Sequence, residues 1–97
     1  MKKPVYTNKF EKDLKLCKKR NYDLEAIKDI IKRLINDEPL EEKHRPHLLS
    51  GNYSGFWECH IKPDWLLIYQ FSEQKDENDE IIDCVIFVRT GTHSDLF

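Results

Sequence analysis

Glu58-Cys59-His60-Ile61-Lys62-Pro63-Asp64-Trp65 lies between two apolar runs, Tyr53–Cys59 and Leu66–Phe71. Lys62-Pro63-Asp64 has turn chemistry, so the flanking runs read as two strands of a hairpin. On the first, Tyr53–Ile61, the period of two puts Trp57, Cys59 and Ile61 on one face and Glu58 and His60 on the other. The second, Trp65–Phe71, is almost wholly apolar, which suits a central strand. After Ser72–Glu80, a charged connection with no hydrophobic member, comes a third strand, Ile81–Thr90. There Asp83, Val85, Phe87 and Arg89 alternate with Ile82, Cys84, Ile86 and Val88. Gly91 ends it, and Thr92–Phe97 form a short tail.

Upstream of this meander, Pro4–Thr7 reads as a short first strand. Asn8 with Glu11 three residues on has the pattern of a capping box. Phe10, Leu14 and Cys17 then give a helical stripe from Lys9 to about Lys19. Asp23 caps a second helix, striped by Leu24, Ile27, Ile30, Ile31, Leu34 and Ile35 and ending near Asn36. So short a break between helices predicts an antiparallel hairpin. Asp37–Asn52, with Pro39, Pro46 and Gly51, reads as a long loop. The expected fold is α+β, ordered β-α-α-β-β-β: one domain over residues 1–97, with an antiparallel sheet and a two-helix hairpin on one face. The first strand pairs at an edge or beside the last strand.

Composition narrows the class. Hydrophobic residues make up 39% and charged residues 35% of the 97, which fits a soluble globular domain rather than a disordered chain. No apolar run approaches the roughly 20 residues of a membrane span, and the basic start Met1-Lys2-Lys3-Pro4 leads into no apolar signal core, so a cytoplasmic location is expected. Cys17, Cys59 and Cys84 form no CxxC pair and read as small buried hydrophobes. The net charge of −2 is unevenly spread: residues 1–33 sum to +6 and residues 72–83 to −5. A basic N-terminal face admits a polyanion partner.

Strand direction gathers chemistry at one rim. In a meander the end of Tyr53–Ile61, the start of Trp65–Phe71 and the end of Ile81–Thr90 share an edge. That brings together His60, Asp64, Trp65, Arg89 and His93. Imidazoles serve as acid and base near neutrality, a guanidinium suits a phosphate, and Trp65 and Phe97 offer faces to a nucleobase. No nucleophilic serine or cysteine is poised and no glycine loop cradles phosphate. The set fits metal-free RNA cleavage, with the RNA's own 2′-hydroxyl as nucleophile. Each residue also has a structural reading: His60 hydrogen-bonded, Asp64 in a turn, Trp65 in the core, Arg89 paired with Asp83 or Glu58. A zinc site from Cys59, His60, Asp64 and His93 is the rival, but the spacing matches no zinc pattern and Cys59 faces away from His60. His44 is assigned no role.

The segments His60-Ile61-Lys62-Pro63-Asp64-Trp65-Leu66-Leu67-Ile68-Tyr69 and Arg89-Thr90-Gly91-Thr92-His93-Ser94-Asp95-Leu96-Phe97 closely resemble the signatures of the YafQ branch of the RelE superfamily. These are toxins of bacterial type II toxin–antitoxin modules. The resemblance extends to the Tyr6–Leu14 opening, both helices and His47-Leu48-Leu49-Ser50-Gly51. It implies a cytoplasmic, cofactor-free endoribonuclease that cuts mRNA in the ribosomal A site. It also implies a neutralising antitoxin, through which alone operator DNA is reached. By motif match, His47, His60, Asp64, Arg89, His93 and Phe97 fall on active-site positions. His93 is then the general acid, His60 or Asp64 helps deprotonate the 2′-hydroxyl, and Arg89 stabilises the phosphorane. Trp65 and Phe97 shape or stack the bases, and Glu58 matches an acidic position near the substrate. A non-catalytic alternative has the same rim hold RNA, or makes the chain a co-repressor with its antitoxin. The segment 72–83 is longer and more acidic than the branch leads one to expect, and without it the body is +3, so it should point away from ribosomal RNA.

Overall fold

The computed structural model describes residues 1–97. Strand β1 (Lys3–Tyr6) leads into helices α1 (Asn8–Lys19) and α2 (Leu24–Ile35). Strands β2 (His47–Leu48), β3 (Trp57–Lys62), β4 (Trp65–Lys75) and β5 (Ile81–Gly91) follow, and helix α3 (His93–Leu96) ends the chain. The sheet order is β1-β5-β4-β3-β2. The α+β class and the helix hairpin on one face agree with the expectation. The sheet is not wholly antiparallel, however, because β1 runs parallel to β5 at its free edge. No helix is long and apolar enough to cross a membrane.

The two helices bury the stripes that their sequences display. Phe10 and Cys17 of α1 and Ile27, Ile30 and Leu34 of α2 pack on Cys59, Ile61, Trp65, Leu67, Tyr69, Val85 and Phe87 of the sheet. Burying such side chains contributes about 1.5–3 kcal/mol each. Asp23 caps α2 through the Glu25 amide as expected. For α1 the cap is Thr7 rather than Asn8: the Thr7 hydroxyl accepts from the Phe10 amide at 3.0 Å and donates to the Val88 carbonyl at 2.8 Å. Thr7 thus joins the helix start to β5, which no local pattern announces.

The segment 37–52 is more ordered than a loop. Glu42–His44 and Gly51–Tyr53 are 3₁₀ turns, and His47–Leu48 pairs antiparallel with β3. The strand read as starting at Tyr53 therefore begins only at Trp57. At the other end, β4 and β5 extend through most of the charged connection, pairing as far as Lys75 with Ile81. Only residues 76–80 form the turn, and the acidic ribbon projects from the end of the sheet opposite Asp64 and His93.

A bulge in β5 matters most for the site. Ile68 opposes Arg89 while Tyr69 opposes Phe87, so Val88 is an extra residue. Opposed residues share a face, and Ile68 lies with Leu66 on the face away from the helices. Val88 packs there too. The inserted residue shifts the phase of the strand, and Arg89, which simple alternation groups with core-facing Phe87, joins the open face.

Candidate active site

The face opposite the helices has a small apolar floor of Leu66, Ile68 and Leu96, flanked by Leu49, Tyr53, Phe56 and Val88. Polar side chains border it. Glu58 and His60 come from β3, Asp64 from the hairpin turn, Arg89 from β5 and His47 from β2. Helix α3 supplies His93, and Phe97 ends the chain.

Helix α3 has only four residues and is held by its surroundings. Thr92 and Asp95 form a capping box, and Asp95 also accepts from both terminal nitrogens of Arg20, at 2.7 and 3.2 Å. Hydrogen bonds from Arg20 and from the Thr92 amide hold the Asp95 carboxyl well below the usual range. Gly91 lets the helix fold back on the strand: a Cβ there would lie 2.9 Å from the Asp95 Cβ. Arg89-Thr90-Gly91-Thr92-His93 is thus a device for turning a strand end into a rigid support for one imidazole.

That imidazole meets Asp64. His93 Nδ1 donates to Asp64 Oδ1 at 2.6 Å, and the His93 amide donates to the same oxygen at 3.1 Å. These bonds, the side-chain one first, lower the Asp64 carboxyl pKa. The His60 ring lies 6.1 Å from His93 and 6.2 Å from His47. His60 Nδ1 faces the Pro63 carbonyl at 3.3 Å and His47 Nδ1 the Arg45 carbonyl at 2.8 Å. A carbonyl only accepts, so both Nδ1 atoms carry hydrogen, and His60 Nε2 is left to the open side. His47 Nε2 lies 3.4 Å from Glu58 Oε1, while Glu58 Oε2 is buried without a hydrogen-bond partner.

Arg89 is held by a residue far away in sequence. Its Nε and Nη2 donate to the Asp13 carboxylate at 2.7 and 3.1 Å, and the Thr90 amide donates to Asp13 as well, at 3.2 Å. Asp13 raises the Arg89 pKa further, so the guanidinium stays charged. Neither Asp83 nor Glu58 is its partner. Phe97 is 63% exposed and stands edge-on to Tyr53 at 5.5 Å.

Trp65 does not fit the role of a stacking residue. Only 3% of it is exposed, and it lies in the core on the helix side. Its Nε1 donates to Thr90 Oγ1 at 3.0 Å, and its ring leans on Tyr22. The pleat explains this: Trp65 alternates with floor residue Leu66. His44 is also structural, its Nδ1 bonded to the His60 carbonyl at 2.7 Å.

A family model described as "Bacterial toxin of type II toxin-antitoxin system, YafQ" matches residues 2–97. The chain belongs to the YafQ family of bacterial toxins. The mRNA interferase toxin YafQ of Escherichia coli is 36% identical over 93 residues, covering 95% of this chain and 91% of the relative. A crystal structure of E. coli YafQ is 33% identical, with a TM-score of 0.86, and the match spans 100% of this chain and 99% of that one. The YafQ chain in a crystal structure of the E. coli DinJ–YafQ toxin–antitoxin complex is 34% identical, with a TM-score of 0.83 over 99% of this chain and 97% of that one.

In this YafQ-family chain four residues that shape the site escape a reading of the sequence: Asp13, Arg20, Tyr53 and Asp95. Asp95 leaves a signal, since Thr92 followed three residues on by an acidic residue has the spacing of a capping box. Asp13 and Arg20 leave none, because each acts across more than seventy residues of chain.

Proposed function

We propose that this chain is a ribosome-dependent endoribonuclease that cuts mRNA without a metal ion and is neutralised in the cytoplasm by a cognate antitoxin, through which it reaches operator DNA. The carrying observation is the pair of imidazoles, His60 and His93, with ring centres 6.1 Å apart and only one of them bonded to a carboxylate. The names of the relatives support the substrate and the antitoxin.

The two rings suit different tasks. His93 donates through Nδ1 to the Asp64 carboxylate, the natural partner of an imidazolium, which leaves Nε2–H free to act as an acid. His60 donates through Nδ1 to a neutral carbonyl, so its Nε2 lone pair is available as a base. Asp64 accepts two bonds from His93 and is thereby a poor base. In the reaction, His60 Nε2 takes the proton of the 2′-hydroxyl and the 2′-oxygen attacks phosphorus. The bond to the 5′-oxygen breaks as His93 delivers its proton there, leaving a 2′,3′-cyclic phosphate and a 5′-hydroxyl. Arg89, with Nη1 not engaged by Asp13, stabilises the phosphorane. His47 and Glu58 border the same floor near the substrate, and Phe97 stacks on a base.

Primer extension on mRNA after induction tests the reading. Wild type should give discrete cleavage ends and His93→Ala none, with the variant still folded. Equal cleavage by both removes His93 as the acid, and no cleavage by wild type removes the nuclease reading.

A further inference from the structure

His60 lines one wall of a cleft of about 590 Å³ between the Glu42–His44 turn and the end of β3. Lys43, Arg45 and Lys62 line it together with His44, His60, Ile61 and Pro63, and no carboxylate does. We propose that this cleft is a backbone-phosphate subsite that holds the substrate RNA strand on one flank of the scissile bond. The inference rests on the ribonuclease reading and extends the same site outward from His60.

Charge pairing sets Arg45 apart from the other three arginines of the chain. Arg20, Arg33 and Arg89 are each held by an aspartate, whereas Arg45 has no carboxylate within 4.0 Å. Lys62 is likewise unpaired and exposed, and Lys43 meets only the exposed Glu41, at 3.5 Å. An arginine left free beside a catalytic cleft is available to a ligand anion, and its planar fork suits a phosphate.

The backbone is organised to present Arg45. It adopts a left-handed conformation, φ 43° and ψ 58°, which a side-chain-bearing residue avoids unless its neighbours impose it. Here two histidines do so. His44 Nδ1 bonds the His60 carbonyl at 2.7 Å on one side, and His47 Nδ1 bonds the Arg45 carbonyl itself at 2.8 Å on the other. The cleft holds no aromatic ring apart from the imidazoles of His44 and His60. It therefore suits contacts to the sugar–phosphate chain, which fix register, rather than base stacking.

The test uses the full chain with His93→Ala, so that bound RNA stays intact, and a labelled single-stranded oligoribonucleotide. Affinity is measured by fluorescence anisotropy between about 50 and 200 mM salt. Adding Arg45→Gln and Lys62→Gln should weaken binding several-fold and reduce the slope of log K against log salt by about 1.4, at roughly 0.7 per phosphate contact on a single strand. Arg45→Asn, which tolerates the left-handed turn, should reproduce its share of the effect if the glutamine variant melts early. Lys3→Gln with Lys75→Gln removes the same charge elsewhere and should leave the slope as it was. An unchanged slope in the cleft variants, or an equal drop in the control, overturns the subsite. If wild type cleaves mRNA while the slope is unchanged, the subsite alone fails. Absence of wild-type cleavage removes the nuclease reading, and the slope still decides the subsite.

Discussion

His93 Nδ1 and Asp64 Oδ1 stand 2.6 Å apart although they lie 29 positions apart in sequence. The contact joins the turn after β3 to the helix after β5, and both side chains remain more than half exposed, at 56% and 66%. Such an open pair adds little to stability. Its effect is on the ring, which it orients with Nδ1 as the donor and Nε2 turned outward. Asp64→Asn is therefore expected to lower the cleavage rate by about 10²-fold, the lower end of what general acid catalysis contributes, with the melting temperature nearly unchanged. Cleavage of a defined mRNA on programmed ribosomes, set beside a thermal melt, measures both. A large fall in melting temperature would make Asp64 structural.

Asp13 serves the site from the other side of the sheet edge. Its side chain is 15% exposed and that of Arg89 is 23% exposed, so their pair is partly shielded from water. Asp13→Ala removes two charge-assisted bonds and the acceptor for the Thr90 amide. The expected loss is about 1–3 kcal/mol of stability, read by urea unfolding. Cleavage should fall as well, because Arg89 loses its anchor. Full activity in a destabilised Asp13→Ala protein would mean that Arg89 needs no such support.

Trp65 separates a core residue from a substrate contact. Trp65→Phe keeps most of the packing but removes the donor to Thr90 Oγ1, a loss of about 1–3 kcal/mol. RNA affinity at a temperature well below the melt should stay within about twofold of wild type, since the ring lies outside the open face. Phe97→Ala should do the reverse, weakening RNA binding without loss of stability, since its ring is exposed. Anisotropy titrations of the two variants with one oligoribonucleotide decide between these roles.

Acid should loosen the support of His93 through Asp95. The Arg20 and Thr92 bonds depress the folded-state pKa of Asp95. A depressed carboxyl stabilises the fold fully above its unfolded value of about 3.9, and that contribution is lost as pH falls towards the folded value. Asp95→Asn should lower the melting temperature by a few degrees at neutral pH and flatten its decline below about pH 4. Identical melting curves against pH for the two proteins would remove Asp95 as a contributor.

Burial pushes the Cys59 thiol up to about 12, and the other two cysteines are buried as well. All three should resist a thiol reagent at about pH 8 in the native protein and react once it is unfolded, because the thiolate is the reactive form. Rapid native labelling of Cys59 would contradict its place in the core.

Much of the candidate rim is legible in the order of residues. The helix stripes, the turn at Pro63 and the direction of a meander are local or nearly so, and they suffice to bring His60, Asp64 and His93 to one edge. The family resemblance adds His47, whose strand β2 is too short to leave a periodic signal.

What sequence alone determined, then, is most of the elements and which residues gather at the candidate site, because side-chain periodicity and turn composition are written in neighbouring residues. Tertiary structure alone decided which face some of them occupy and what holds them. One extra residue at Val88 brings Arg89 to the open face, as a one-residue shift does in any strand. Asp13 then fixes that arginine across the edge of β5, and the pleat of β4 sinks Trp65 into the core. Each of these depends on pairing register and on contacts between residues distant along the chain, which local patterns do not record.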